Sequence, residues 1–325
     1  MSAPGSGAMS DVLVDYGRRI ESLAQGLGLT YHPVDFELVP ANFMTEVAIY
    51  GLPIRMPHWS FGVRYIHQLI RQSMGNSRIF EVMFPGNPCH GYLVNSNTLA
   101  ENTLVTAHVL GHADFAKNNH LFARFMDMSG TNIVEHAAAQ AHRIEEAVKN
   151  HGQQRVEAML DAALALEPHV DVNQELHRSL YPKYTQRRDE LPPDDTFTGR
   201  FKNLPGEQEP PEQSRERRNA PIPPHAESDL LWFIANYSPE MEDWERDIFL
   251  AVRHESFYFY PVFACNIMNE GWATYWHARL LREADFLPED LYLDAVTCHS
   301  NVVRPFASEQ QAALAINPYH LGFSM

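Results

Sequence analysis

One stretch, Thr106-Ala107-His108-Val109-Leu110-Gly111-His112-Ala113-Asp114-Phe115, limits what this chain can fold into more than any other. Its period is helical. His108, His112 and Phe115 stand four and three residues apart and share one face. Two imidazoles one turn apart can reach a single divalent ion, and Gly111 between them clears room for a ligand or another backbone. A second stretch answers it far downstream: Asn269-Glu270-Gly271-Trp272-Ala273-Thr274-Tyr275-Trp276-His277. As a helix, it sets Glu270 and His277 on one face with Ala273 and Thr274 between them. Two helical histidines and a carboxylate from a later helix make a three-ligand metal site with an open position. The competing reading is chance, because the chain has 17 histidines. Zinc peptidases with this histidine pair carry Glu directly after the first His as general base. Here that position is Val109, which does no proton chemistry.

The 325 residues suffice for one large domain or two, and a net charge of −16 gives no basic footprint for phosphate. Nucleic acid and anionic membrane surfaces are therefore excluded as expected partners. Cys89, Cys265 and Cys298 are too few and too scattered for a disulfide framework, so all three are expected to be reduced. Residues 1–10 lack the apolar core of a secretory signal and are expected to form a tag-like or flexible tail. No apolar run approaches the ~18 residues that span a bilayer. A cytoplasmic protein is the simplest expectation.

Along the chain, Val12, Tyr16, Ile20, Leu23 and Leu27 predict an amphipathic helix over residues 11–27. Residues 34–39 and 46–52 look β-rich or irregular between prolines, and a helix is predicted over 63–74. His58 and Trp59 before it fit either a site edge or an aromatic plug under a loop. Residues 78–84 and 90–96 predict a β-hairpin around Pro85-Gly86-Asn87-Pro88. That hairpin feeds directly into the His108 helix, where an edge strand beside a metal can pair with an extended substrate. Asn118-Asn119 closes the helix. An alanine-rich tract over 132–166 predicts helix, broken near Gly152. His136, His142 and His151 in it have the character of solvated or capping groups.

Between Pro182 and Pro224 lie nine of the 22 prolines among mixed charges and few apolar residues. Residues 183–227 are therefore expected to be a linker or mobile insertion between an N-terminal part, 11–182, and a helical part, 228–325, that packs on it as one domain. In the second part a helix is predicted to end near Glu255, stopped by Pro261, with His254 near its C-terminus. Glu255 is the first choice for the base missing at position 109; its alternative role is an ion pair with Arg253 or Arg246. The Glu270 helix and a last helix over 288–303, carrying His299, follow. No internal repeat, phosphate-binding glycine loop or Gly-x-Ser-x-Gly elbow is present.

Four blocks in order, Met56-Pro57-His58-Trp59-Ser60-Phe61-Gly62, His108-Val109-Leu110-Gly111-His112-Ala113-Asp114-Phe115, Asn269-Glu270-Gly271-Trp272-Ala273 and Asn317-Pro318-Tyr319-His320-Leu321-Gly322, resemble the stage V sporulation protein R (SpoVR-like) family, from about Asp11 to the last residue. The resemblance implies a cytoplasmic protein of sporulation or stress physiology, linked to a PrkA-like serine kinase and a von Willebrand-type domain protein. It supplies no established reaction. It also implies a C-terminal region beyond Met325, because family members continue past the Asn-Pro-Tyr block. A weaker resemblance, of the histidine pair and Glu270-Gly271-Trp272-Ala273, is to gluzincin metallopeptidases; Val109 departs from their pattern.

Together these readings predict an α+β, mostly α-helical protein with a zincin-like metal core preceded by a small β-hairpin. His108, His112 and Glu270 are the expected ligands, and zinc is the expected ion. His254, Glu255, His277 and His299 are expected around it or on a second ion. As an enzyme it would hydrolyse an amide or peptide bond, with Glu255 as base and His277 or His299 stabilising the oxyanion. The alternatives are a non-catalytic zincin-like scaffold in a kinase-linked pathway and a two-metal carboxylate/histidine oxidative site.

Overall fold

The computed structural model describes residues 6–52, 55–73, 80–129, 133–173, 227–304 and 316–325. Of the expected linker, 183–227, all but residue 227 lies outside them, as do residues 1–5 of the expected tail. The architecture is mostly helical with a small three-stranded sheet.

A long first helix, α1 (Ser6–Gly26), begins five residues earlier than the apolar repeat suggested and ends before Gly28, whose φ of 98° turns the chain. Strand β1 (Val34–Val39) pairs in parallel with β3 (Cys89–Val94), and β2 (Glu81–Phe84) pairs antiparallel with β3, giving the order β1-β3-β2. The expected hairpin is therefore present, and β2 is an edge strand among the described residues. Residues 46–52, expected to be extended or irregular, instead lie mostly in helix α2 (Ala41–Tyr50). Met44 and Val47 are buried at helical spacing, the Thr45 hydroxyl satisfies the Ala41 carbonyl, and Gly51 closes the helix at φ 76°. Packing overrides the β-rich composition there. Helix α3 (Trp59–Ser73) follows.

Helix α4 (Leu99–Asn118) is the axis of the molecule. Thr98 and Glu101 form a reciprocal capping box at its start. From Asn102 to Asp114 every residue is buried, because α1, β2, β3 and three later helices surround it. Helix α5 (His120–Ser129) continues after a one-residue break. Helices α6 (Ile133–His151) and α7 (Gln153–Ala165) are separated at Gly152, as expected, with φ 86°.

Helix α8 (Leu230–Tyr237) leads to α9 (Asp243–Ala264), which runs through Pro261 instead of stopping at it. Only the last turn follows the proline, so one missing N–H is a small loss against the buried Phe257, Tyr258 and Phe259. His254 is consequently mid-helix, away from the C-terminal end of the dipole. Helix α10 (Asn266–Glu283) crosses α4; α11 (Glu289–Val302) and the short α12 (Pro318–Ser324) flank it. Among the described residues no helix is long and apolar enough to cross a membrane.

Candidate metal centre

The crossing of α4 and α10 is made possible by glycine. A Cβ on Gly111 would stand 2.7 Å from the Ala273 Cα, inside any real contact distance. The helices therefore meet backbone to backbone at the level of the histidines, and Glu270 reaches across. Its Oε2 lies 3.4 Å from His108 Nε2 and 3.6 Å from His112 Nε2. One donor atom from each of the three residues falls within 4.8 Å of the others. Sequence spacing thus identified a trio that the fold brings together.

The outer nitrogens of both imidazoles are tied down. His112 Nδ1 is 2.9 Å from Asn269 Oδ1, and His108 Nδ1 is 2.9 Å from His277 Nδ1. Each ring therefore turns Nε2 toward Glu270. His277 Nε2 in turn lies 2.7 Å from His299 Nδ1. Both nitrogens of His277 are thus engaged by neighbouring imidazoles.

Two groups that motif spacing did not single out complete the centre. Glu81, on β2, brings Oε1 to 3.9 Å from His108 Nε2. Its neighbour along the same face, Met83, packs against the cluster that holds Leu104, Val105 and Val109 of α4, so the alternation of the strand points Glu81 toward α4. Val109 itself lies against the sheet, its Cγ1 in the space beside Gly91. A carboxylate thus approaches His108 from the edge strand. Tyr319, on α12, stacks obliquely 5.9 Å from the His108 ring, and its hydroxyl is within reach of the Glu270 carboxylate. The close approach of α12 is permitted by a glycine pair, because a Cβ on Gly271 would collide with the Gly322 backbone at 2.2 Å.

Burial and neighbours divide the protons. Burial pulls His108 down, but the carboxylates of Glu270 and Glu81 outweigh it and hold the ring above the ordinary imidazole value. Burial, then the charge on His108, pushes His112 down to about 4. Burial pushes the Glu270 carboxyl up, yet His112, His108 and Tyr319 together hold it below the usual range. Glu81 is raised by burial, only partly offset by His108. His277 is driven well down by burial and by the imidazoles beside it, and His299 is lowered by burial and His108. Of the four imidazoles, His108 alone is shifted toward its protonated form.

Two atoms of the trio are among the buried ones without hydrogen-bond partners: His108 Nε2 and Glu270 Oε2, facing each other at 3.4 Å. That separation is an electrostatic contact whose geometry falls short of a hydrogen bond. Orphaned donors and acceptors of this kind are costly unless something lies between them. Two imidazole nitrogens and a carboxylate oxygen, with their outer atoms anchored, suit a divalent cation, zinc by ligand type.

The remaining expected residues lie elsewhere. Glu255 is fully buried and paired at 2.6 Å with Arg55, whose guanidinium also lies 5.1 and 5.2 Å from the Phe61 and Phe259 ring centres. That partner is neither of the arginines near it in sequence; Arg253 instead pairs with Asp229. His254 lies against Phe125 and His136, lining a groove of about 670 Å³ with His151 and Trp244. This groove shares no residue with the His108–His112–Glu270 trio. His58 joins Trp59 in bonding Asp161, an anchor of α3 on α7.

The family model described as SpoVR like protein matches residues 8–325. A relative named Uncharacterized protein YcgB, from Escherichia coli (strain K12), is 32% identical over 331 residues, covering 97% of this chain and 62% of the relative. The chain thus spans less than two thirds of that relative's length. No solved structure matches. Because the match runs over nearly the whole chain and takes in the α4 and α10 motifs with the Asn-Pro-Tyr block, the chain belongs to the SpoVR-like protein family.

Proposed function

We propose that His108, His112 and Glu270 bind one divalent cation, zinc by preference, and that the chain is a metal-dependent hydrolase of an amide or peptide bond. The observation that carries this reading is the facing pair of buried, unpartnered atoms, His108 Nε2 and Glu270 Oε2, with His112 Nε2 beside them. The helical histidine pair, the glutamate on a crossing helix and the adjacent antiparallel edge strand together support a zincin-like arrangement.

A cation in this trio supplies Lewis-acid polarisation of a carbonyl and acidifies a water toward neutral pH. The protein's own groups divide the rest. Glu81 reaches His108 but stands outside the compact trio, which suits it to take a proton in place of serving as a ligand. Its raised affinity for protons, caused by burial, suits it to hold a proton and pass it to a leaving amine. Among the described residues β2 is an edge strand, along which an extended chain can lie. Glu255 has no part in this scheme.

The test is metal analysis joined to a cleavage assay. Purified protein is expected to hold about one zinc per chain, lost in His112→Ala and Glu270→Ala. Glu81→Gln is expected to keep the zinc and to lose cleavage of a mixed peptide library by roughly 10²–10⁴-fold. Retention of full cleavage by Glu81→Gln would remove it as the base; absence of zinc from the wild type would end the proposal.

A further inference from the structure

Three imidazoles stand in a row from the trio toward the outside: His108, the buried His277 on α10, and the half-buried His299 on α11. The two links are 2.9 and 2.7 Å, hydrogen-bond lengths, and no carboxylate intervenes. A neutral imidazole has one donor and one acceptor nitrogen. With all three rings neutral, each bond needs one donor and one acceptor, so a row of this kind has only two self-consistent arrangements. In one, His108 Nδ1–H donates to His277 Nδ1, and His277 Nε2–H donates to His299 Nδ1. In the other every bond is reversed, and His108 carries its hydrogen on Nε2, where it faces Glu270.

We propose that His277 and His299 are positioning residues that set the hydrogen-bond polarity of this row and thereby keep the Nε2 lone pair of His108 available to a cation. The proposal rests on the metal-binding reading above and adds its control element. The polarity is read at the far end. An acceptor at position 299 favours the outward arrangement, whereas a side chain there that can only donate requires His277 Nε2 to accept. His277 must then carry its hydrogen on Nδ1, opposite His108 Nδ1. His108 answers by moving its own hydrogen to Nε2, and its ligand atom is lost. Beside His108 the Ala273 carbonyl can only accept, whereas the imidazole of His277 can turn either way, so the ligand's state also depends on what stands beyond His277. The exposed side of His299 is bordered by Phe323 of α12, with ring centres 5.5 Å apart, so the outer end of the row lies under the short helix that also carries Tyr319.

Zinc affinity of the full chain, measured by competition with a chromophoric chelator, separates two variants of nearly equal disturbance. His299→Asn keeps an acceptor near the Nδ1 position and is expected to bind zinc within about threefold of the wild type. His299→Lys offers donors only and is expected to lose roughly 10–100-fold, the range for such supporting groups. Equal affinity of the two variants overturns the proposal. A second measurement needs no variant: ¹⁵N-histidine NMR of the chelator-treated wild type is expected to show His277 protonated at Nε2 and bare at Nδ1. The opposite tautomer overturns the inference even if zinc binds. If the wild type binds no zinc, the functional reading fails while the NMR result still decides the polarity.

Discussion

Val109 and Glu81 show how a residue's role follows from where its backbone puts it. Position 109 faces the sheet, so a carboxylate there would be buried among Leu93, Leu104 and Val105, whereas Glu81 enters from the strand with its charge beside His108. This placement has a consequence for stability in chelator. His112 and His277 both refuse protons in the folded state that the unfolded chain accepts below the ordinary imidazole value of 6.5. Their contribution is therefore present above pH 6.5 and lost as the pH falls toward about 4 for His112. Glu81 works in the opposite sense. Its raised proton affinity makes the folded state the better acceptor above its ordinary value of 4.5, and that contribution is lost as pH rises. Glu81→Gln removes the opposing group. Urea unfolding in chelator between pH 6.5 and 4.5 is expected to show a steeper acid loss in the variant, by up to one proton or about 1.4 kcal/mol per pH unit. A slope identical to the wild type would mean that Glu81 stays ionised throughout. The motif alone could not disclose Glu81, because its meeting with His108 depends on the register of β2 on β3, which no local spacing encodes.

Among the elements, those with a strong internal period were legible: α1, the hairpin, α4, α10 and the break between α6 and α7. What escaped was decided by partners. Helix α2 looked extended because Val47, Ile49 and Tyr50 favour strands in isolation, yet Met44 and Val47 are buried on one helical face. Helix α9 outruns Pro261 because the aromatic run before it is locked in the core. Of the site itself, the trio was legible in the helical spacing, while the engagement of Glu255 by Arg55 was not, since the partners are 200 residues apart. Glycine gives the elements a direct test. In a helix, Gly→Ala ordinarily stabilises by about 1 kcal/mol. Gly62 of α3 meets nothing within 4 Å, so Gly62→Ala is expected to gain that amount. Gly111→Ala must instead push α10 away from α4, because the obstruction at 2.7 Å is backbone. Overpacking of this kind costs about 1–3 kcal/mol and outweighs the helix gain. Thermal melts should therefore move in opposite directions for the two variants, and Gly111→Ala should also weaken zinc binding. Movement of both in the same direction would contradict the close crossing.

For the molecule as a whole, the decisive fact is that α4 and α10 belong to distant parts of the chain yet share the donor trio. A cation held by both can bind only when both are in place, so its binding energy adds to folding. At a free zinc concentration 100-fold above the dissociation constant, that addition is about 2.7 kcal/mol. For a chain of this size it corresponds to an upward shift of several degrees in the unfolding temperature. Glu270→Ala and His112→Ala each remove a proposed ligand and are expected to melt at temperatures that no longer respond to zinc or to chelator. His254→Ala provides the contrast. Its ring lies with His136 and Phe125 at the separate groove, so the zinc shift should survive intact. A zinc shift lost in His254→Ala but kept in Glu270→Ala would move the cation from the helix crossing to that groove. The α4–α10 contact would then be a packing device built from histidines, with no ligand to organise.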